Sequence, residues 1–173
     1  RESLTQFKDR LMPGGPNGRK PGSYKWYEIQ DSIDYYAEFE KPKIIYPNIC
    51  KRPEFAFDET NLYTNQKCFI ISKDDKCLLG VLNSSVTFFL YHQILPKLRG
   101  DFYEPGHVFL KGFPIALPTP SQRAAIELLV RNLLDAKGQG PQVTEWKRKL
   151  NALVYELYSL SGEEIRIVEE ATK

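Results

Sequence analysis

At Pro118 the hydrophobic rhythm of the chain changes, and no fold built from one kind of element satisfies both halves. Upstream, apolar residues come in short runs cut by proline and glycine, such as KIIYP, CFIIS and CLLGVL. Downstream, Ile126, Leu129, Val130, Leu133 and Leu134 keep the spacing of one helix face. Trp146, Leu150, Leu153, Val154 and Leu157 repeat that pattern after the break Lys137-Gly138-Gln139-Gly140-Pro141. Pro120 before a Ser121 cap marks the start of the first helix, and Ser161 followed by Glu164 reads as a capping box for a third. The expected class is α+β: a twisted mixed or antiparallel sheet with a packed helix, followed by C-terminal antiparallel helices.

The sheet-bearing half is read in pieces. MPGGPNGRKPGS holds four glycines and three prolines in twelve residues, which excludes a helix or central strand there and predicts a long flexible loop up to about Ser23. Lys43 to Ile49, between Pro42 and Pro47, reads as an edge strand or one ending at a bulge. Asn61 to Ser72 and Cys77 to Leu82 flank SKDDK and predict a hairpin. Asn83-Ser84-Ser85 offers caps for a helix through about Leu95, with Val86, Phe89, Leu90 and Ile94 near one face and Pro96 and Gly100 at its end. Phe102 to Leu117 is expected to be strand interrupted by Pro105-Gly106 and Pro114. Three regions follow: a flexible segment over 1–23, a sheet-rich domain over 24–117 and a helical scaffold over 118–173.

A chain of 173 residues buries a core without covalent staples. Its 42% hydrophobic content and net charge of +2 exclude a disordered class. The richest apolar stretch, Ser84 to Pro96, is too short and too polar to span a bilayer. Three cysteines make no disulfide framework and suit a reducing compartment, so a cytoplasmic location is expected. The first residue is Arg with no signal pattern after it, as expected of a piece of a larger protein.

Charge is unevenly laid out. Arg10 to Tyr27 and Lys41 to Pro53 each carry four basic residues and no acid, and Cys77 to Gly100 carries Lys97 and Arg99 with no acid. Such blocks either form one basic face or remain solvated loops. After Lys111 eight basic residues balance eight acids, which reads as scaffold.

Motifs for catalysis are lacking. Cys50, Cys68, Cys77, His92 and His107 show no metal-ligand spacing, and there is no Gly-x-Ser-x-Gly elbow, P-loop or G-x-G-x-x-G after a strand. Glu54 with Asp74-Asp75-Lys76 imitates the carboxylate and acid-x-Lys set of Mg²⁺-dependent nucleases, but Asp74-Asp75 reads better as a turn. No metal site or catalytic residue is assigned.

The run KPKIIYPNICKRPEFAFDETNLYTNQKCFII, followed by LLGVLNSSVTFFLYHQILPKLRGDFYEPGHVFLKGFPI, resembles the TaqI-like C-terminal specificity domain of adenine-specific DNA methyltransferases and fused restriction–modification enzymes. Its marks are KPKIIYP at Lys41 to Pro47, LGVLNS at Leu79 to Ser84, KLRG at Lys97 to Gly100 and FPI at Phe113 to Ile115. LVYELYSLSGEEI at Leu153 to Ile165 resembles the family's C-terminal end, so the likeness runs from about Trp26 through the last helices. It implies a target-recognition domain for double-stranded DNA. S-adenosylmethionine would belong to a separate catalytic domain with an Asn/Asp-Pro-Pro-Tyr/Phe motif. No such tetrapeptide occurs here, so this segment is expected to bind no cofactor and to transfer no methyl group alone.

DNA recognition needs cations for phosphates and Arg, Asn or Gln for base edges. The expected DNA-binding residues are Arg19 and Lys20 in the glycine-rich loop, Lys51 and Arg52 past the strand, Asn65 and Lys67 before residue 68, and Lys97, Arg99 and Tyr103. Alternatives stand beside them: Lys97 and Arg99 also suit a helix C-terminus, Lys51-Arg52 a solvated turn, and Asn65 an ordinary turn. Trp26 and Tyr24 either stack or pack. Expected partners are duplex DNA and a methyltransferase domain or subunit, docked on apolar faces of the helices after Ser121, which also suit a second copy. Two other classes compete: a protein-interaction module holding a catalytic subunit, and the Mg²⁺ nuclease.

Overall fold

Lys43–Pro47 (β1) carries the β-branched pair Ile44-Ile45 and the aromatic Tyr46, residues that favour strand, with Ile44 and Tyr46 buried. It pairs antiparallel on both sides. Ala56–Asp58 (β2) lies against it from Lys43↔Asp58 to Ile45↔Ala56, and Cys68–Ile71 (β3) from Ile44↔Ile71 to Pro47↔Cys68. The order β2-β1-β3 makes β1 the central strand, which corrects the edge assignment. Pro42 precedes the strand and Pro47 is its last residue, so neither removes an interior donor.

The structure, a computed structural model, describes residues 2–30 and 34–173. The chain divides into two compact units, Arg1–Ala37 and Glu38–Lys173. A 3-10 stretch, Asp34–Glu40, spans that division.

The first unit holds two short helices, Glu2–Thr5 (α1) and Lys8–Leu11 (α2). The glycine-rich segment after them is a closed loop rather than an open linker. Arg19 N–H donates to Met12 O (3.1 Å) and Gly14 N–H to Arg19 O (2.9 Å). The Arg19 guanidinium donates to the carbonyls of Leu11 (3.1 Å), Glu28 (2.9 Å), Trp26 (3.0 Å) and Lys25 (3.4 Å), which folds 11–28 around one side chain.

In the second unit the hairpin expected across SKDDK does not form. Lys76–Leu82 is a helix (α3), and the Asp75 carboxylate caps it by accepting from Leu78 N–H (2.9 Å). A short apolar run is ambiguous by periodicity, and a carboxylate at the cap decides in favour of helix. Ser84 caps Ser85–Ile94 (α4) as expected, but the buried face is Val86, Thr87 and Tyr91; Phe89 and Leu90 are half-buried and Ile94 is exposed. Lys97–Leu98 (β4) and Phe102–Tyr103 (β5) form a small hairpin, and His107–Leu110 (α5) is one helical turn. Only two residues of the expected 102–117 strand pair, because Pro105 and Pro114 lack donors.

Pro120–Asp135 (α6) starts two residues earlier than a Ser121 cap would give. Thr119 is the cap, in a capping box with Gln122 (3.0 and 3.3 Å), and Ser121 lies inside the helix. Val143–Leu157 (α7) and Gly162–Ala171 (α8) follow, the last with the expected Ser161–Glu164 box. Ile126, Val130 and Leu150 share one core with Ile44, Leu79 and Tyr91, while Val154 and Val168 join Val81 and Val86 in a second cluster. Gly80 permits this. A β-carbon there would stand 2.9 Å from both Ile126 and Val130 and 3.2 Å from Leu150. The apolar stripes of α6 and α7 therefore pack largely inward, with Leu128 of α6 left exposed, and the core runs across the boundary expected at 117/118. Among the described residues no single helix is long and apolar enough to cross a membrane.

Candidate functional site

Three loops meet at the Pro47 end of β1. Past the Pro47↔Cys68 pair, Asn48 N–H donates to Lys67 O (2.8 Å). Two residues on, Cys50 and Tyr103 exchange both backbone bonds (3.1 and 2.8 Å). This extension of the ladder brings the 65–67 turn and the 97–103 hairpin beside the 51–52 loop. Lys51, Arg52, Asn65, Lys67, Lys97 and Arg99 all stand exposed there.

Each loop is built by local chemistry. Asn65 Oδ1 accepts from Lys67 N–H (2.9 Å) and Asn65 O from Cys68 N–H (3.1 Å), an Asx turn that presents Lys67. The 99–101 turn needs positive φ, at Gly100 (82°) and Asp101 (62°), conformations that Gly and Asp tolerate. Lys51 Nζ lies 5.0 Å from the Phe102 ring centroid, a cation–π contact. The loop is fixed from behind by Asn83, whose Nδ2 donates to Phe55 O (2.9 Å) and whose Oδ1 accepts from Phe55 N–H (3.1 Å). From the sequence Asn83 reads only as a helix cap, because nothing links positions 28 apart before the chain folds.

Lys97 pairs with Asp101 at 2.9 Å. That hydrogen bond and then the Lys97 charge hold the Asp101 carboxyl below its ordinary range, with Lys51 adding to the effect. Arg52, Lys67 and Arg99 have no ion pair among the described residues. Cations gathered in excess of the acids beside them, here Asp101 and Glu54, attract an anionic partner. Beneath them, burial first and the Glu54 charge second push the Cys50 thiol up to about 11.

Other expected contacts fare differently. Tyr103 is 3% exposed, with its ring against Phe88, Tyr91 and His92, so it belongs to the core and not to a recognition surface. Lys97 and Arg99 do not end a helix, since α4 stops at Ile94. Arg19 lies in the first unit with its guanidinium occupied by carbonyls and the Tyr24 ring (4.8 Å), which withdraws it from recognition. Lys20 in the same unit is exposed. Trp26 is half-buried, edge-on to Tyr27 at 5.5 Å, so it packs.

The nuclease set is not assembled. Asp75 caps α3 and pairs with Arg123 (2.9 Å), and Lys76 pairs with Glu59 (2.9 Å). Among the described residues no three His, Cys, Asp or Glu side chains group to hold a metal ion.

Residues 9–115 match the TaqI-like C-terminal specificity domain, beginning earlier than Trp26 and stopping before the last three helices. The chain is also 25% identical over 158 residues, 90% of its length, to the type II methyltransferase M.BstVI of Geobacillus stearothermophilus. It spans about a quarter (26%) of that relative's length.

Proposed function

Because the chain belongs to the TaqI-like C-terminal specificity domain family, we propose that it is the sequence-specific recognition part, for double-stranded DNA, of an adenine-specific methyltransferase or restriction–modification enzyme. The observation that carries this reading is the gathering of the 51–52, 65–67 and 97–103 loops at one end of the sheet. Lys51, Lys67 and Lys97 anchor phosphates, while Arg52 and Arg99 have the planar fork that reads guanine in the major groove. S-adenosylmethionine and methyl transfer belong to a catalytic domain outside these residues, and the protein acts in the cytoplasm beside it.

Fluorescence anisotropy with labelled duplex DNA across a salt series tests this. Expected is an affinity whose logarithm falls linearly with the logarithm of salt concentration. No binding at low salt, or binding indifferent to salt, overturns it. In that event the interaction-module reading takes over. It draws on Leu117, 92% exposed between α5 and α6, and on Leu128 and Ile167, exposed on α6 and α8.

A further inference from the structure

Between the 52–57 segment, the α3–α4 junction and the α6–α7 loop lies a cleft of about 530 Å³. Phe55, Phe57 and Phe88 line it together with Leu133, Leu134 and Leu150. Its basic residues are Arg52, Lys137 and Lys147, and no Asp or Glu lines it. Among the described residues none of these three cations forms an ion pair. Lys137 is held in place by the end of α6. Its N–H donates to Leu134 O (2.9 Å) and that of Gly138 to Leu133 O (2.9 Å), with Lys137 itself at φ 50°. A lysine in the left-handed region costs stability where a glycine would not. Asn151 is fixed too, its Oδ1 accepting from Ser85 N–H (2.9 Å).

An apolar ligand would use the ring-lined interior and leave the cations without a role; inorganic phosphate would do the reverse. A ligand matched to both is a flat aromatic body carrying an anionic group. The volume lies in the range of small-molecule sites, roughly 300–1,000 Å³. We infer that the cleft binds a mononucleotide unit, with its base among Phe55, Phe57, Phe88 and Leu133 and its phosphate on Lys137 and Lys147. The unit is either a free nucleoside monophosphate or one unpaired nucleotide of a DNA strand. Choosing a nucleotide over another aromatic anion rests on the DNA reading of the loops, because Arg52 belongs to both the cleft and that surface. The sequence hid this site: Lys137 and Lys147 sit in the charge-balanced half that read as scaffold.

The test uses the full chain with N-methylanthraniloyl-AMP as fluorescent probe, and labelled duplexes with and without one unpaired nucleotide. Saturable probe binding, weakened about tenfold in the Lys137→Ala/Lys147→Ala double variant, supports the free-nucleotide source. Absence of probe binding, with a preference of about tenfold for the duplex bearing the unpaired nucleotide that the double variant loses, supports the strand source. Leu133→Trp, which fills the cleft, abolishes either signal; both lysines are exposed, so the double variant keeps its fold if Leu133→Trp does not. Binding indifferent to the lysine variants overturns the inference, as does the absence of both signals. Salt-dependent binding of fully paired duplex in that same experiment leaves the proposed DNA function standing.

Discussion

Lys43 and Asp58 face each other across the β1–β2 ladder and form an ion pair closed to solvent, 0% and 4% exposed. Lys43 Nζ also donates to Phe39 O (2.6 Å). Asp58 accepts from Thr60 N–H (3.0 Å), Thr60 Oγ1 (2.7 Å) and Leu62 N–H (3.0 Å). The pair ties the sheet's β2 flank to the chain before and after it, at the opposite end of β1 from the 51–52, 65–67 and 97–103 loops.

This arrangement predicts acid lability with a definite sign. Burial alone would raise the Asp58 carboxyl, but the Lys43 bond and then those from Thr60 and Leu62 outweigh it and hold the carboxyl well below its ordinary range. The resulting stability is complete above the unfolded carboxylate value of about 3.9 and is lost as pH falls below it. Denaturant melts followed by circular dichroism from pH 7 down to pH 2 show this loss, and Lys43→Met/Asp58→Leu removes Asp58's share of it. Asp58→Asn alone strands the lysine and costs roughly 3 kcal/mol at neutral pH.

Gly80→Ala tests the contact among α3, α6 and α7. The added methyl meets Ile126 and Val130 at 2.9 Å, inside van der Waals contact. Expected is a loss of about 1–3 kcal/mol in chemical denaturation despite the better helix propensity of alanine. A neutral or stabilising result would show that the helices separate freely.

Asn83→Ala leaves the Phe55 N–H and C=O unpaired and destabilises by about 1–3 kcal/mol. Because Phe55 follows Arg52 and Pro53 closely, DNA affinity falls as well. Hydrogen exchange at Phe55 checks the local opening independently of binding.

Arg52→Ala and Arg99→Ala separate base reading from anchoring. An arginine that reads guanine loses about 1–3 kcal/mol and relaxes discrimination at one base pair. Uniform weakening across a library of duplexes identifies a phosphate contact instead.

Thiol chemistry reports on the core beneath the loops. Cys50, whose thiol burial raises to about 11, and Cys77, also raised by burial, resist iodoacetamide at pH 8 in the folded chain. Cys68 is half-buried at the start of β3 and reacts ahead of them. Mass spectrometry of partly alkylated protein reads the order, and prompt labelling of Cys50 would contradict the packing around Tyr103.

Where local chemistry is strong, sequence reading and structure agree: the Ser84 cap of α4, the Ser161–Glu164 box and the helical stripes of α6 and α7 all stand. The two differ where one short signal serves two outcomes. CLLGVL lacks a period of its own and follows the Asp75 cap, while two prolines disguise β1 as an edge although Pro42 precedes the strand and Pro47 is its terminal ladder residue. Within the candidate site, Lys51, Arg52 and Lys67 are legible as cations next to a strand, whereas Arg99 reads as a helix end and lies instead in the 97–103 hairpin. Tyr103 was not legible as core, since burial depends on what packs against it, and Arg19 was not legible as the centre of its own loop.

The residues alone determined the α+β class, the helical second half and the presence of acid-poor blocks, because those follow from periodicity, caps and composition within a few neighbours. Only the tertiary structure decided that Asn48 meets Lys67, that Cys50 meets Tyr103, and that Arg52 shares a cleft with Lys137 and Lys147. Such meetings depend on ladder register and helix packing, which join positions tens of residues apart and leave no trace in local spacing.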